Sequence, residues 1–144
     1  LELLKDLQNT MDTAIILVTH DLGVVANFAD RINVMYAGQV IEQGTTREIF
    51  YEGEHPYTWA LLSSVPRLHV ESKKELYSLQ GTPPDLLLPL DGCPFASRCK
   101  YCMQICKEEM PPETVITETH SLACWLKHPS APKIEKPDLI RRDE

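Results

Sequence analysis
A chain of 144 residues holds one domain or pieces of two, and its formal net charge of -7 leaves nothing to neutralise a run of phosphates, which excludes a nucleic-acid partner. No apolar run approaches the roughly 20 residues that span a bilayer, and no basic segment followed by an apolar one marks a secretion signal. With no sign of export, the five cysteines favour metal or redox chemistry over structural disulfides.

Residues 1–7 are already in helical register, without a cap or an initiating Met, so a helix over 1–9 is predicted and the chain reads as a fragment. Residues 14–19, Ala-Ile-Ile-Leu-Val-Thr, are an aliphatic run without alternation, the pattern of a strand buried on both faces in a parallel sheet. Asp21 then caps a helix over 21–29, with Leu22, Val25, Ala26 and Ala29 on one face. A histidine between such a strand and such a helix lies at the strand's carboxyl end, where open α/β sheets place their ligands. His20 is therefore the first candidate for chemistry.

Strands over 31–36 and 39–43 flank Ala37-Gly38, a hairpin turn in which Gly38 suits positive φ. Gly44 stops the second strand and a threonine caps a short helix over 45–51. One buried strand, two helices and a hairpin cannot cover both faces of a parallel sheet. Its neighbouring strands are expected outside the chain, which supports the fragment reading.

Composition then changes. All eleven prolines lie at or beyond Pro56, and all five cysteines at or beyond Cys93. Pro56 starts a helix on which Trp59 and Leu62 share a face. Residues 65–89 read as loop with one short strand near 77–79. Residues 93–125 carry the cysteines, and 129–144 read as a flexible tail of charges and prolines.

The run from Ile15 through Thr19-His20-Asp21 to Phe50 resembles the C-terminal part of an ABC transporter ATPase subunit, including A-D-R-I-x-V-M-x-x-G-x-x-x-E-x-G from Ala29 to Gly44. Glu54-His55-Pro56-Tyr57-Thr58, Gly81-Thr82-Pro83-Pro84-Asp85 and Gly92-Cys93-Pro94-Phe95 narrow the resemblance to the ATP-binding subunits of bacterial oligopeptide and dipeptide importers. It implies an α/β fold: the end of a P-loop ATPase domain over 1–52, then a small, loop-rich, cysteine-containing extension over 53–128. It also implies that His20 faces the γ-phosphate of ATP, with Mg as the companion ion, and that Asp21 orients this switch. A neutral imidazole can accept a hydrogen bond from the attacking water and donate one to a phosphate oxygen, and phosphoryl transfer depends mainly on positioning and charge stabilisation. The implied partners are membrane permease subunits and a second ATPase subunit, at the cytoplasmic face of the membrane.

The chain contains no G-x-x-x-x-G-K-[ST] loop, no L-S-G-G-Q-type signature and no apolar run ending in Asp-Glu. Alone it is expected neither to bind ATP tightly nor to hydrolyse it, and to self-associate through uncovered apolar surface. Cys93, Cys99, Cys106 and Cys124 follow the spacing that the resemblance associates with a [4Fe–4S] cluster, for which soft thiolates are suited. Zinc and plain reduced thiols are the alternatives. Cys102 and Lys100 depart from the family pattern, and Cys99-x2-Cys102 is a possible redox or zinc pair. His120 and His128 are further ligand candidates, though each reads first as a surface histidine. A stand-alone metal-binding or redox-sensing module is the competing reading of the whole.

Overall fold
The computed structural model of the chain describes residues 2–11, 13–64, 79, 81–85, 87 and 89–137. Helix α1 (Glu2–Met11) forms where predicted, and its Leu3, Leu7 and Met11 remain exposed. Residues 14–19 are not in a strand, and Ile16 and Val18 are 93% and 94% exposed. A strand exists through its ladder partners, and none of the described residues lies alongside this segment to supply them. Helix α2 (Leu22–Phe28) follows, capped by Asp21.

The hairpin is formed by β1 (Arg31–Tyr36) and β2 (Gln39–Thr45). Gly38 takes φ 77° as predicted, and Ala37 joins it at φ 50°. Two consecutive left-handed residues give the loop the twist that matches its strands. The register slips between Val34 and Met35, which pair with Glu42 and Val40 and leave Ile41 without an opposite residue. This bulge is why consecutive residues Ile41 and Glu42 are both buried. Helix α3 (Thr46–Glu52) opens on a capping box: Glu48 N donates to Thr45 Oγ1 while Thr45 N donates to Glu48 Oε2 at 2.8 Å. Helix α4 (Pro56–Ser63) has its proline in the first turn.

The cysteine segment contributes elements that its sequence conceals. They are a 3₁₀ turn (Ala96–Arg98), α5 (Ile105–Glu108), β3 (Glu113–Val115), β4 (Ser121–Ala123) and a second 3₁₀ turn (Trp125–Lys127). Strand β4 pairs with β2, and the sheet is antiparallel throughout in the order β1-β2-β4-β3. The boundary expected between 52 and 53 thus falls between elements that share one sheet. They also share a core, in which Phe95 closes over Val34, Tyr36, Ile41 and Ile49. The strand expected near 77–79 lies outside the described residues except for Leu79, which packs against this core.

A second cluster joins Trp59 and Leu62 to Leu22, Phe50, Tyr101 and Ile134. Trp59 and Leu62 therefore share a face, as their spacing predicts. Ile134 and the ion pair of Lys136 with Glu54 hold residues 129–137 against α4, where a flexible tail was expected; residues 138–144 lie outside the described ones. Among the described residues no helix is long and apolar enough to cross a membrane.

Candidate functional site
His20 and Asp21 keep their predicted place immediately ahead of α2. Asp21 Oδ1 accepts from Gly23 N at 2.9 Å and from Val24 N at 3.1 Å, while Asp21 N donates to Thr19 Oγ1 at 3.0 Å. The carboxylate is thereby committed to the helix start, and the backbone on either side of it is fixed. His20 is exposed and makes no hydrogen bond to the described residues, so its ring is free for an external partner.

The most heavily bonded of the fully buried side chains is one that its place in the motif does not mark out as special. Glu42, 0% exposed on β2, accepts four hydrogen bonds: Oε1 from Glu54 N at 2.6 Å and His120 Nε2 at 2.8 Å, Oε2 from His55 N at 3.1 Å and Thr58 Oγ1. Burial works to raise its pKa, but these bonds, led by His120 and Thr58, outweigh it and hold the carboxyl below its usual value. The His120 bond to Glu42 is correspondingly the main cause that raises the imidazole's pKa against burial. His120, expected at the surface, is instead the buried partner of this carboxylate.

His55 is buried without such support, and burial depresses it to about 4 although the Glu42 charge opposes the shift. It is therefore neutral near pH 7. Its Nδ1 accepts from Tyr57 N at 3.0 Å to cap α4, which assigns the ring proton to Nε2, and that nitrogen has no hydrogen-bond partner among the described residues. The ring instead lies beside Phe95, at a centroid distance of 5.9 Å. One carboxylate thus joins the E of the first motif to the H and T of Glu54-His55-Pro56-Tyr57-Thr58, and one aromatic contact carries on to the cysteine loop.

The four predicted ligand cysteines come from separate pieces of chain. Cys93 precedes the first 3₁₀ turn and its N donates to Cys106 O at 2.8 Å; Cys99 closes that turn; Cys106 sits on α5; Cys124 leads from β4 into the second 3₁₀ turn. A Cβ on Gly92 would stand 2.4 Å from Cys106 O, so only glycine permits this approach. The sulfurs lie within electrostatic reach of one another, Cys124 with Cys93, Cys99 and Cys106. Burial, and after it the neighbouring thiols, push Cys99 and Cys124 up to about 12; burial also raises Cys93 and Cys102. Against this, backbone N–H groups of Phe95, Tyr101 and Leu126 donate to the sulfurs of Cys93, Cys99 and Cys124.

Soft sulfurs are the donor type that a thiolate–metal centre uses, and three of the four, those of Cys93, Cys99 and Cys124, are met by a backbone donor. Among the described residues, no three His, Cys, Asp or Glu side chains are arranged around one ion position. His128 is outside this set: it is exposed, and its Nδ1 accepts from Ser130 N at 3.2 Å.

Comparison with known proteins covers the same ground. The family model described as "Oligopeptide/dipeptide transporter, C-terminal region" matches residues 41–106. The oligopeptide transport ATP-binding protein OppD of Bacillus subtilis is 54% identical over 141 residues, 98% of this chain and 39% of the relative. AmiE of Streptococcus pneumoniae, also an oligopeptide transport ATP-binding protein, is 51% identical over 140 residues, 97% of this chain and 39% of its own length. The dipeptide transport ATP-binding protein DppD of Bacillus subtilis is 51% identical over 127 residues, 88% of this chain and 38% of the relative. The chain spans about two fifths of the length of these relatives. Strand β2, the Glu42 junction and much of the cysteine loop lie inside or beside the matched stretch, so the chain is similar over residues 41–106 to the oligopeptide/dipeptide transporter C-terminal region, and along most of its length to parts of these transport ATP-binding proteins.

Proposed function
We propose that the chain works as the C-terminal part of the ATP-hydrolysing subunit of a bacterial oligopeptide or dipeptide importer. The observation that carries this reading is one chain joining the transporter region to Thr19-His20-Asp21 ahead of a capped helix. In the whole protein, His20 would meet the γ-phosphate of Mg-bound ATP, and Asp21, held in the cap, would fix the backbone from which His20 projects. ATP then closes a pair of such subunits, hydrolysis reopens it, and the movement drives permease subunits that hold the protein at the cytoplasmic face of the membrane. Without a phosphate-binding loop the chain alone is inactive, and its uncovered apolar residues, Leu3, Leu7, Met11, Ile16 and Val18, drive self-association. A clean monomer by light scattering would count against the last point.

Cys93, Cys99, Cys106 and Cys124 complete the proposal as a thiolate centre, for a [4Fe–4S] cluster with zinc as the competitor. What supports it is that the four thiols lie within electrostatic reach of one another and that three of them, Cys93, Cys99 and Cys124, meet backbone donors. A bound metal would supply the positive charge that lets these buried thiols ionise.

The test is His20→Ala in the full reading frame. ATP hydrolysis and peptide uptake should fall by about 10²-fold or more, the scale of removing one preorganised group from the transition state. Wild-type rates would sink the assignment. For the cysteines, anaerobic purification should give absorption near roughly 400 nm with matched iron and sulfide; stoichiometric zinc without colour would reassign the site.

A further inference from the structure
We propose that the groove between β2 and β4 is a binding site for the free amino terminus of an extended peptide, which adds to the open edge of β2 and sets its ammonium on Glu113. The proposal stands on this groove and not on the ATPase reading above.

The groove has a volume of about 310 Å³ and is lined by consecutive residues 39–43 of β2 and by the whole of β4. Side chains along a strand point to alternate faces, so an unbroken run of them lines one groove only where the backbone edge itself forms the wall. The ladder explains why that edge is open. Strand β4 pairs with β2 only at Glu42 and Gln43, and beyond Ala123 the chain turns through Cys124 into the second 3₁₀ turn. Residues 39–41 thus have β1 on one side and, among the described residues, no strand on the other. Such an edge offers backbone N–H and C=O groups to an incoming strand. Val40 and Met110, both half-exposed, and Pro94 and Pro111 flank it, so the side chains of an added strand meet apolar walls.

The polar end of the groove supplies the direction. Glu113 of β3, Ser121 of β4 and Gln43 of β2 all line it and bond to one another. Glu113 Oε1 accepts from Gln43 Nε2 at 3.1 Å and from Ser121 Oγ at 2.6 Å, and Gln43 Nε2 also donates to Ser121 Oγ at 2.8 Å. These bonds hold the carboxylate by one oxygen. Among the described residues, its Oε2 receives no hydrogen bond and its charge has no ion-pair partner. A fixed, uncompensated carboxylate beside an open strand edge selects a cation, and an ammonium supplies the charge-assisted bond that Oε2 lacks. At a strand rise of about 3.3 Å per residue, a peptide of about four residues spans the stretch from Gln43 to Gln39.

The probe is the tetrapeptide Ala-Leu-Ala-Leu with a dye at its carboxyl end, titrated with the chain and followed by fluorescence anisotropy. The same peptide acetylated at its amino end keeps the side chains and the strand-forming backbone but has no ammonium. The free peptide should bind about 10–100-fold more tightly than the acetylated one, the scale of one hydrogen bond to a charged group. Glu113 is exposed, and Glu113→Gln keeps an oxygen to accept from Gln43 and Ser121, so the variant should fold and bind both peptides alike. Hydrogen exchange read by mass spectrometry then locates the peptide, since strand addition should slow exchange over residues 39–41.

Equal affinity of the wild-type chain for the two peptides, or a Glu113→Gln chain that still prefers the free one, would overturn the ammonium site. Unchanged exchange over residues 39–41 with peptide bound would overturn strand addition. Binding of the free peptide weaker than about 1 mM would overturn the proposal as a whole.

Discussion

Glu42→Gln keeps the side chain's volume and removes its charge. The carboxylate receives two donors on each oxygen, Glu54 N and His120 Nε2 on one, His55 N and Thr58 Oγ1 on the other. Whichever oxygen becomes the amide NH₂ then faces two donors with a donor of its own. Hydrogen bonds to a charged group contribute about 1.5–3 kcal/mol each, and stripping one partner from a buried ion pair costs about 3–5 kcal/mol. The expected loss is about 3–5 kcal/mol, read by urea unfolding with far-UV circular dichroism and tryptophan fluorescence.

The pH profile gives a second, sharper readout. His120 has a folded pKa above its ordinary 6.5, so its contribution is complete below pH 6.5 and lost as pH rises through the raised value. Glu42 has a folded pKa below its ordinary 4.5, so its contribution is complete above pH 4.5 and lost as pH falls through the lowered value. His55, folded at about 4 against 6.5, also loses its contribution on acidification, between those two values. The alkaline decline therefore belongs to the Glu42–His120 pair alone among these groups. Wild-type stability should fall above pH 6.5, and Glu42→Gln and His120→Gln should both flatten that limb. A Glu42→Gln variant within about 1 kcal/mol of wild type, or one that keeps the alkaline limb, would refute the reasoning.

Gly92→Ala should destabilise the chain by about 2–3 kcal/mol through overpacking, since its Cβ has only 2.4 Å to the Cys106 carbonyl oxygen, and should speed alkylation of Cys106. Glu48→Gln should cost about 1 kcal/mol at neutral pH, the scale of a lost cap. Burial opposes ionisation of Glu48, but bonds from Thr117, Thr45 and Thr119 hold it at about 2. Its contribution is complete above pH 4.5 and lost on the way down to about 2, so the thermal midpoints of variant and wild type should converge there. Ile134→Ala should cost about 1–2 kcal/mol, less than a fully buried site, and shift tryptophan emission to the red as Trp59 becomes wetter.

Local signals carried the first half of the chain. Asp21, Thr45 and Pro56 mark helix starts because a cap acts within three residues, and Gly38 marks the hairpin because its φ is set locally. The segment from Ala14 to Thr19 misled because an aliphatic run reports what a strand needs, not whether a partner stands beside it. The cysteine segment was legible as donors but not as structure. Its β4 holds only Ser121, Leu122 and Ala123, too short for periodicity, and is defined by pairing with β2. Glu42 and His120 were hidden for the same reason. A buried charge looks like any surface residue until its distant partner is found, and here the two lie 78 residues apart.

The sheet order also sets a schedule for synthesis. The β1–β2 hairpin can close within about 1–10 μs of leaving the ribosome, but Ser121, which pairs with Gln43 across 78 residues, follows roughly 4–16 s later at about 5–20 residues per second. For that interval the free edge of β2 is uncovered, and the Glu42 carboxylate on it, still without His120, opposes pairing with a stranger's strand. The charge that later locks the fold thus guards the nascent chain first, and its loss should raise aggregation during expression beyond what the equilibrium stability of the finished protein would suggest.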